Sequence, residues 1–235
     1  MKKRLISLFI VAMGVSAYAQ SDSSSWNGGT VIPGWNSVWV EWSPSTFNVN
    51  QQGADNQSFT TFSAGYSRAF NIATSKPLFC EVGLGVQHSF YEDDFQDARI
   101  DSEGNTYYYT AVRSFYMWSA KVPVNILYMY DIPNSCISVI PFGGVNLRYN
   151  ISAEQQAPGY KGYVFSEGVE TDLFDSKDMG SSSNTWKRFL LGWNIGCKAR
   201  FGKHIMASLS YGNDIIEVAK KTKISAITVS VGYAF

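Results

Sequence analysis

Charge is scarce in this chain. Of 235 residues only 16% are Asp, Glu, Lys or Arg, and 19 basic residues balance 19 acidic ones. Soluble domains carry about 25% charged residues. The even balance excludes an overall basic nucleic-acid binder. Histidine occurs only twice, which limits general acid–base chemistry, and cysteine three times, an odd number for a disulfide framework. Long apolar runs are missing as well: after residue 15 no stretch approaches 18 apolar residues, so a helical membrane protein is excluded. A membrane span, if there is one, must then be built of strands closed into a barrel. Aromatics make up 15% and hydrophobic residues 45%, which excludes global disorder.

The first residues read as an export signal. Lys2, Lys3 and Arg4 form a basic head, Leu5 to Val15 an apolar stretch, and Ala17-Tyr18-Ala19 a cleavage site. Residues 1–19 are expected to be a signal peptide of bacterial style. The mature chain then starts at Gln20 with 16 basic against 19 acidic residues, a net charge of −3. No cysteine follows the cleavage site, so a lipoprotein anchor is not expected. Residues 20–35, Ser-rich and then Gly- and Pro-containing, read as a flexible lead-in.

The remainder alternates with period two. Ile227, Val229, Val231, Tyr233 and Phe235 interleave with Thr228, Ser230, Gly232 and Ala234. Phe189, Leu191, Trp193, Ile195 and Cys197 interleave with Leu190, Gly192, Asn194, Gly196 and Lys198. The small or polar face also carries the charges, which suits a polar interior and an apolar exterior. Eight strands are expected, at about 36–49, 57–70, 78–91, 107–130, 137–151, 185–201, 204–217 and 222–235. Short turns at 71–77, 131–136 and 202–204 alternate with long polar connections at 92–106 and 152–184. Connections 50–56 and 218–221 are short but lie on the long side. The fold class that follows is all-β: a closed antiparallel up-and-down transmembrane β-barrel over residues 36–235, with both termini on one side and two long extracellular loops. Segment 152–184 reads as a hairpin above the membrane; its alternative is a pair of extra strands in a ten-stranded ring. Pro123 and Pro141 each remove a ladder donor and imply a bulge or strand-end position. Aromatics near strand ends, among them Phe90, Tyr91, Tyr128, Tyr130, Trp186 and Tyr233, read as interfacial girdles.

Tyr233-Ala234-Phe235, closing an alternating strand, resembles the C-terminal assembly signal of outer-membrane barrels, with Tyr233 and Phe235 as its residues and the barrel-assembly machinery as the implied partner. The mature chain is similar to the OmpA/OmpX-type superfamily of small barrels. Its Tyr/Gly-rich strands and the motif Phe142-Gly143-Gly144-Val145-Asn146 resemble the PorT-like barrels of Bacteroidota, one branch of which belongs to a secretion apparatus.

Alternation sends Glu41, Glu81, Arg113, Lys121, Arg148, Lys198 and Arg200 into the lumen. An eight-stranded barrel has room for side chains only, so opposite charges there are expected to pair and fill it. Arg68 falls on the outer face. Loop 92–106 holds Glu92, Asp93, Asp94, Asp97, Asp101 and Glu103 against Arg99 alone; it reads as a solvated acidic loop rather than a calcium site, and no metal or cofactor is expected. Lys220, Lys221 and Lys223 cluster at the last outer hairpin, within reach of lipid phosphates. His88 and Ser89 are strand neighbours and face opposite sides, so they form no dyad. His204 reads as a turn residue. Cys80 and Cys197 fall on the lipid face, and no intramolecular disulfide is expected.

These features point to a non-enzymatic outer-membrane anchor with loop-mediated surface binding. Its expected surroundings are outer-membrane lipid and lipopolysaccharide, with an envelope or secretion protein as a further partner. Three rivals remain: a PorT-like component of a secretion or assembly machine, a lipocalin-like secreted binder, and a lipid-modifying enzyme.

Overall fold

The computed structural model describes residues 33–50, 56–73, 76–100, 104, 106–161, 164–175 and 186–235. The expected signal peptide and nearly all of the lead-in lie outside these residues.

Among the described residues ten strands form: β1 (Trp35–Val49), β2 (Gln57–Asn71), β3 (Leu78–Ile100), β4 (Thr106–Tyr128), β5 (Tyr130–Asp131), β6 (Ile137–Lys161), β7 (Val164–Asp172), β8 (Phe189–Phe201), β9 (Ile205–Asp214) and β10 (Thr222–Ala234). Eight of them close a ring in the order β1, β2, β3, β4, β6, β8, β9, β10 and back to β1, every pair antiparallel. The ring has eight members, not ten, because β7 pairs with β6 alone and the two-residue β5 with β6 alone among the described residues. The seam between the first and last strands is bonded to the end of the chain, Asn36 N–H donating to the Phe235 carbonyl at 2.9 Å and Phe235 N–H to the Asn36 carbonyl at 2.8 Å. Closure leaves the ring no open edge.

The two faces are inverted relative to a water-soluble protein. Val40, Ile195, Leu209 and Val231 point outward and are exposed, Ile195 by 59%, whereas Ser89, Ser119 and Asn150 inside are 0% exposed. An apolar outside of this kind suits lipid, not water. The lipocalin-like reading fails here, since it requires the apolar face inside. Cys197 is exposed on this outer wall and Cys80 half-buried; with Cys136 they are free thiols. Arg68 lies on the outer face, its guanidinium 5.0 Å from the Phe70 ring centre.

Several strand bounds differ from the sequence reading. β3 runs on to Ile100 and β4 starts at Thr106, so most of the presumed loop 92–106 is a two-stranded extension. β6 runs on to Lys161 and pairs with β7. Between Trp118 and Ser119 the β4–β6 register slips, Ser119 facing Asn150 and Trp118 facing Ser152. Ile151 is therefore a bulge, and a bulge resets alternation. Below it Arg148 and Asn150 point inward; above it Ala153 does, and is 0% exposed. The prolines act on single ladders. Pairing of β3 with β4 skips Pro123, and pairing of β1 with β10 skips Ser43 and Pro44, because each proline lacks a donor. β8 starts at Phe189 and β9 ends at Asp214, both shorter than expected.

Candidate functional site: a sealed lumen beneath a protruding sheet

Three ion pairs cross the lumen. Lys121 Nζ donates to Glu41 Oε2 at 2.6 Å, and the same oxygen accepts the Ser63 hydroxyl at 2.7 Å. Lys198 Nζ holds both Glu81 oxygens, at 2.6 and 2.8 Å. Arg148 pairs with Asp214, whose other oxygen accepts the Ile224 N–H at 3.2 Å. Each pair joins strands distant in sequence, so the charges brace the barrel across its bore. Such buried charges persist only when paired and further hydrogen-bonded. Lys121 also lies 5.4 Å from the Trp39 ring centre and Lys198 5.1 Å from that of Phe142.

Glu81 fixes a chain of amides. A carboxylate only accepts, so Asn125 must turn Nδ2 to Glu81, at 3.2 Å. The Asn125 oxygen then accepts from Asn194 Nδ2 at 3.0 Å. Asn194 Oδ1 is left aimed away from protein donors, as is Asn146 Oδ1. Both residues line a residual cavity of about 110 Å³ among the ion pairs, polar and roomy enough for bridging waters. Hydroxyls complete the layer: Ser45, Thr61 and Ser89 form a chain with Thr61–Ser89 at 2.9 Å, and Ser119 donates to Asn150 at 2.8 Å.

One of the seven residues assigned to the lumen from the sequence, Arg113, stands elsewhere, and Arg200 faces inward only at the mouth. Arg113 is exposed on the protruding part of β4, across from Asp93 on β3, above the polar layer rather than in it. Its inward parity is real, but the strand there has already left the barrel. Arg200 lies at the short-turn end, where Nε and Nη2 donate to the Lys203 carbonyl at 3.0 and 2.6 Å and the guanidinium lies 5.5 Å from the Trp35 ring centre. Asp214 was absent from the sequence reading. Its signal was present: Met206, Ser208, Ser210 and Gly212 share its parity, opposite Ile205, Leu209 and Tyr211.

Apolar clusters close the bore above and below this layer. On the loop side Phe47 stacks on Phe59 at 4.2 Å, and Phe115, Met117, Leu190 and Ile224 pack with them. Tyr91 and Trp186, assigned to a girdle from the sequence, belong to this interior cluster. On the turn side Trp35 and Phe79 meet at 4.7 Å beside Leu127, Ile140 and Phe142. Apolar constrictions block ions by dewetting. In planar bilayers the protein is accordingly expected to show no conductance steps. Trimming one cluster, as in F47A/F115A, should leave it silent because the other still seals the bore; steady steps from the unmodified protein would refute this.

No catalytic arrangement forms around the histidines. His88 sits on the outer wall, 4.3 Å from the Trp118 ring, whereas the Ser89 hydroxyl faces inward to Thr61. His204 Nδ1 is 2.8 Å from the Ala234 carbonyl in the turn before β9, and its ring stacks on Tyr233 at 5.0 Å. Tyr233 and Phe235 are both exposed on the outer face. Among the described residues no cluster of three metal-binding side chains occurs.

Above the barrel β3–β4 and β6–β7 continue as two antiparallel ribbons, joined by β4–β6 pairing only as far as Ser114–Gln156. The β2–β3 ladder stops at Phe90, so from Glu92 to Ile100 β3 pairs only with β4, and β7 pairs only with β6, among the described residues.

The sequence matches the family described as outer membrane protein beta-barrel domain over residues 6–235. No curated protein matches it. Several solved structures are similar, among them the following three. Neisserial surface protein A is 13% identical with a TM-score of 0.44, covering 85% of this chain and 97% of that one. Ail, the attachment invasion locus protein of Yersinia pestis, solved with the heparin analogue sucrose octasulfate, is 13% identical with a TM-score of 0.43, covering 87% and 100%. The N-terminal β-barrel domain of Pseudomonas aeruginosa OprF is 11% identical with a TM-score of 0.32, covering 86% and 99%.

Proposed function

The chain belongs to the outer membrane protein beta-barrel domain family, and from that premise we propose that it is a non-enzymatic surface-binding protein whose barrel is an inert anchor in the outer membrane. The observation that carries this reading is the pair of strand ribbons that run on beyond the barrel, β3–β4 to Ile100–Thr106 and β6–β7 to Lys161–Val164. A barrel filled by ion pairs and sealed at both ends offers no route for transport, so function falls to what stands outside it. Open strand edges recruit further strands. The two outer strands of these ribbons are rich in acidic residues by sequence: Glu92, Asp93, Asp94 and Asp97 on β3, and Glu167, Glu170 and Asp172 on β7. Like charges discourage one copy from pairing edge to edge with another and favour an extended, cationic polypeptide.

The finer resemblance, to PorT-like barrels, supports a different use: an envelope-assembly role through the membrane-facing wall or the short turns. One experiment separates the two. A photo-crosslinking residue is placed on β7, at Glu170, and in a second strain in the turn after β2, at Ile72. Surface binding predicts crosslinks to an extracellular or envelope polypeptide from Glu170 that vanish when 92–106 alone is replaced by a two-residue turn, with the envelope barrier intact. Crosslinks from Ile72 alone, with a leaky envelope in its absence, would replace the binding reading by the assembly one.

A further inference from the structure

Of the three ion pairs in the bore, one carries a side-chain amide on its carboxylate. Glu81 Oε1 accepts from Lys198 Nζ at 2.6 Å and from Asn125 Nδ2 at 3.2 Å, so an amine and a carboxamide share one oxygen. The other two differ: among the described residues Glu41 accepts from Lys121 and the Ser63 hydroxyl, and Asp214 from Arg148 and the Ile224 N–H. Strand order brings the group together. Glu81 on β3 faces Asn125 on β4, Asn125 faces Gly144 on β6, and Gly144 faces Asn194 on β8. Lys198 follows four residues further along β8, on the same inward parity. Gly144 leaves the space between: a Cβ there would stand 2.5 Å from Asn125 Oδ1, the oxygen that accepts Asn194 Nδ2 at 3.0 Å.

These four side chains are the parts of an acyl transfer. Lys198 becomes a nucleophile when it gives up a proton, and Glu81 is a base within hydrogen-bond reach. Glu81 and Asn125 are both buried. Moving the proton from ammonium to carboxylate turns a buried ion pair into two neutral groups and removes the cost of keeping both charges out of water. Asn194 Nδ2 donates to Asn125 Oδ1, the atom on which charge develops during attack, and so stands as an oxyanion donor. The leaving nitrogen, Asn125 Nδ2, already rests on Glu81 Oε1, where the carboxyl that took the lysine proton can return it. All four residues line the cavity of about 110 Å³, which receives the small molecule released.

We propose that Lys198 and Asn125 join in an intramolecular isopeptide bond, formed by the protein itself with loss of ammonia. Lys198 Nζ, deprotonated by Glu81, attacks Asn125 Cγ, and the C=O electron pair moves onto Oδ1. As that pair returns, the Cγ–Nδ2 bond breaks and the departing nitrogen takes the proton held by Glu81. Nζ then gives its surplus proton to Glu81, which passes it to the ammonia. One C–N bond forms and one breaks, nothing is oxidised or reduced, and no co-reactant is needed. Folding gives the ion-paired state first; the bond follows and ties β4 to β8 across β6. The reaction concerns the bore alone and does not rest on the surface-binding reading.

The test is peptide mapping, by mass spectrometry, of the full protein taken from outer membranes. The expected product is a branched peptide linking Asn125 to Lys198, lighter than its two linear parts by about 17 Da for the ammonia lost. Cyclisation of Gln20 at a mature N-terminus would lose the same mass, so the branch and not the intact mass decides. Protein refolded from urea into detergent should begin linear and acquire the branch with time. Asn125→Ala and Lys198→Met should each lack it. After boiling, both should run more slowly on gels than the unmodified chain, whose internal loop survives denaturation. Glu81→Gln keeps the neighbours in place but cannot take the proton, so branching should slow by about 100-fold or more. A gel shift between unboiled and boiled samples reports that this variant is folded, and the time course of the unmodified protein decides the bond without it. Linear peptides over both residues at full recovery from the outer-membrane protein would overturn the bond. Branching of folded Glu81→Gln at the unmodified rate would overturn the role of Glu81.

Discussion

Replacing Glu81 by alanine is expected to destabilise the barrel by about 3–5 kcal/mol, because the change strands a charge in the lumen. Glu81 is 2% exposed, and its two oxygens are the hydrogen-bond acceptors for the Lys198 ammonium. Without them Lys198 has the face of Phe142 and no carboxylate within the same pair. The loss extends further, since Asn125 would lose the acceptor that orients it and, through it, Asn194. The double variant E81L/K198L removes both charges and supplies apolar volume. It should recover most of the loss, because desolvating two charges offsets much of their mutual attraction. Urea unfolding in lipid vesicles, followed by tryptophan fluorescence, measures both. A single-variant cost under about 1 kcal/mol, or a double variant as damaged as the single, would mean that the pair is hydrated and carries little.

Much of this barrel was legible because membrane and lumen impose opposite demands on alternate residues. Wherever one face meets lipid and the other the bore, the pattern appears in the sequence, as in Val229, Val231 and Tyr233 against Ser230 and Gly232. The pairing partners Glu41, Glu81, Lys121, Arg148 and Lys198 were accessible from that parity. The same logic explains the failures. Residues 92–100 and 154–161 carry no apolar stripe in the sequence, while their backbones go on pairing. Polar sequence there reads as loop. Tyr91 and Trp186 were placed at an interface because aromatic content alone does not distinguish a girdle from an interior seal. The bulge at Ile151 left no mark in composition, yet it decides which face of β6 looks inward.

Interior packing makes a second demand, and it falls on glycine. Trp39 points into the lumen and lies against Gly65 and Gly85, the two facing each other across β2 and β3. A Cβ on Gly85 would sit 2.5 Å from Trp39 Cη2 and 2.8 Å from the Ala64 carbonyl oxygen; one on Gly65 would meet both Trp39 Cζ2 and the Leu84 carbonyl at 2.5 Å. Gly85→Ala is therefore expected to cost about 1–3 kcal/mol through overpacking, visible as a smaller heat-shifted fraction on gels. Trp39→Leu alone costs stability by leaving a void and by removing the ring beneath Lys121. Combined with Gly85→Ala, the two should be less damaging than their sum, with a coupling of about 1 kcal/mol, since the shortened side chain vacates the space the new methyl takes. Gly65→Ala should show less rescue, because its tightest obstacle includes backbone that Trp39→Leu does not move. Full additivity at Gly85, or equal rescue at both glycines, would place the constraint in the ladder rather than in the indole. The distinction matters for how the lumen is filled. If the indole sets it, Trp39, Lys121 and Glu41 form one packed unit in which a large aromatic ring, seated on two glycines, carries the ion pair across the bore.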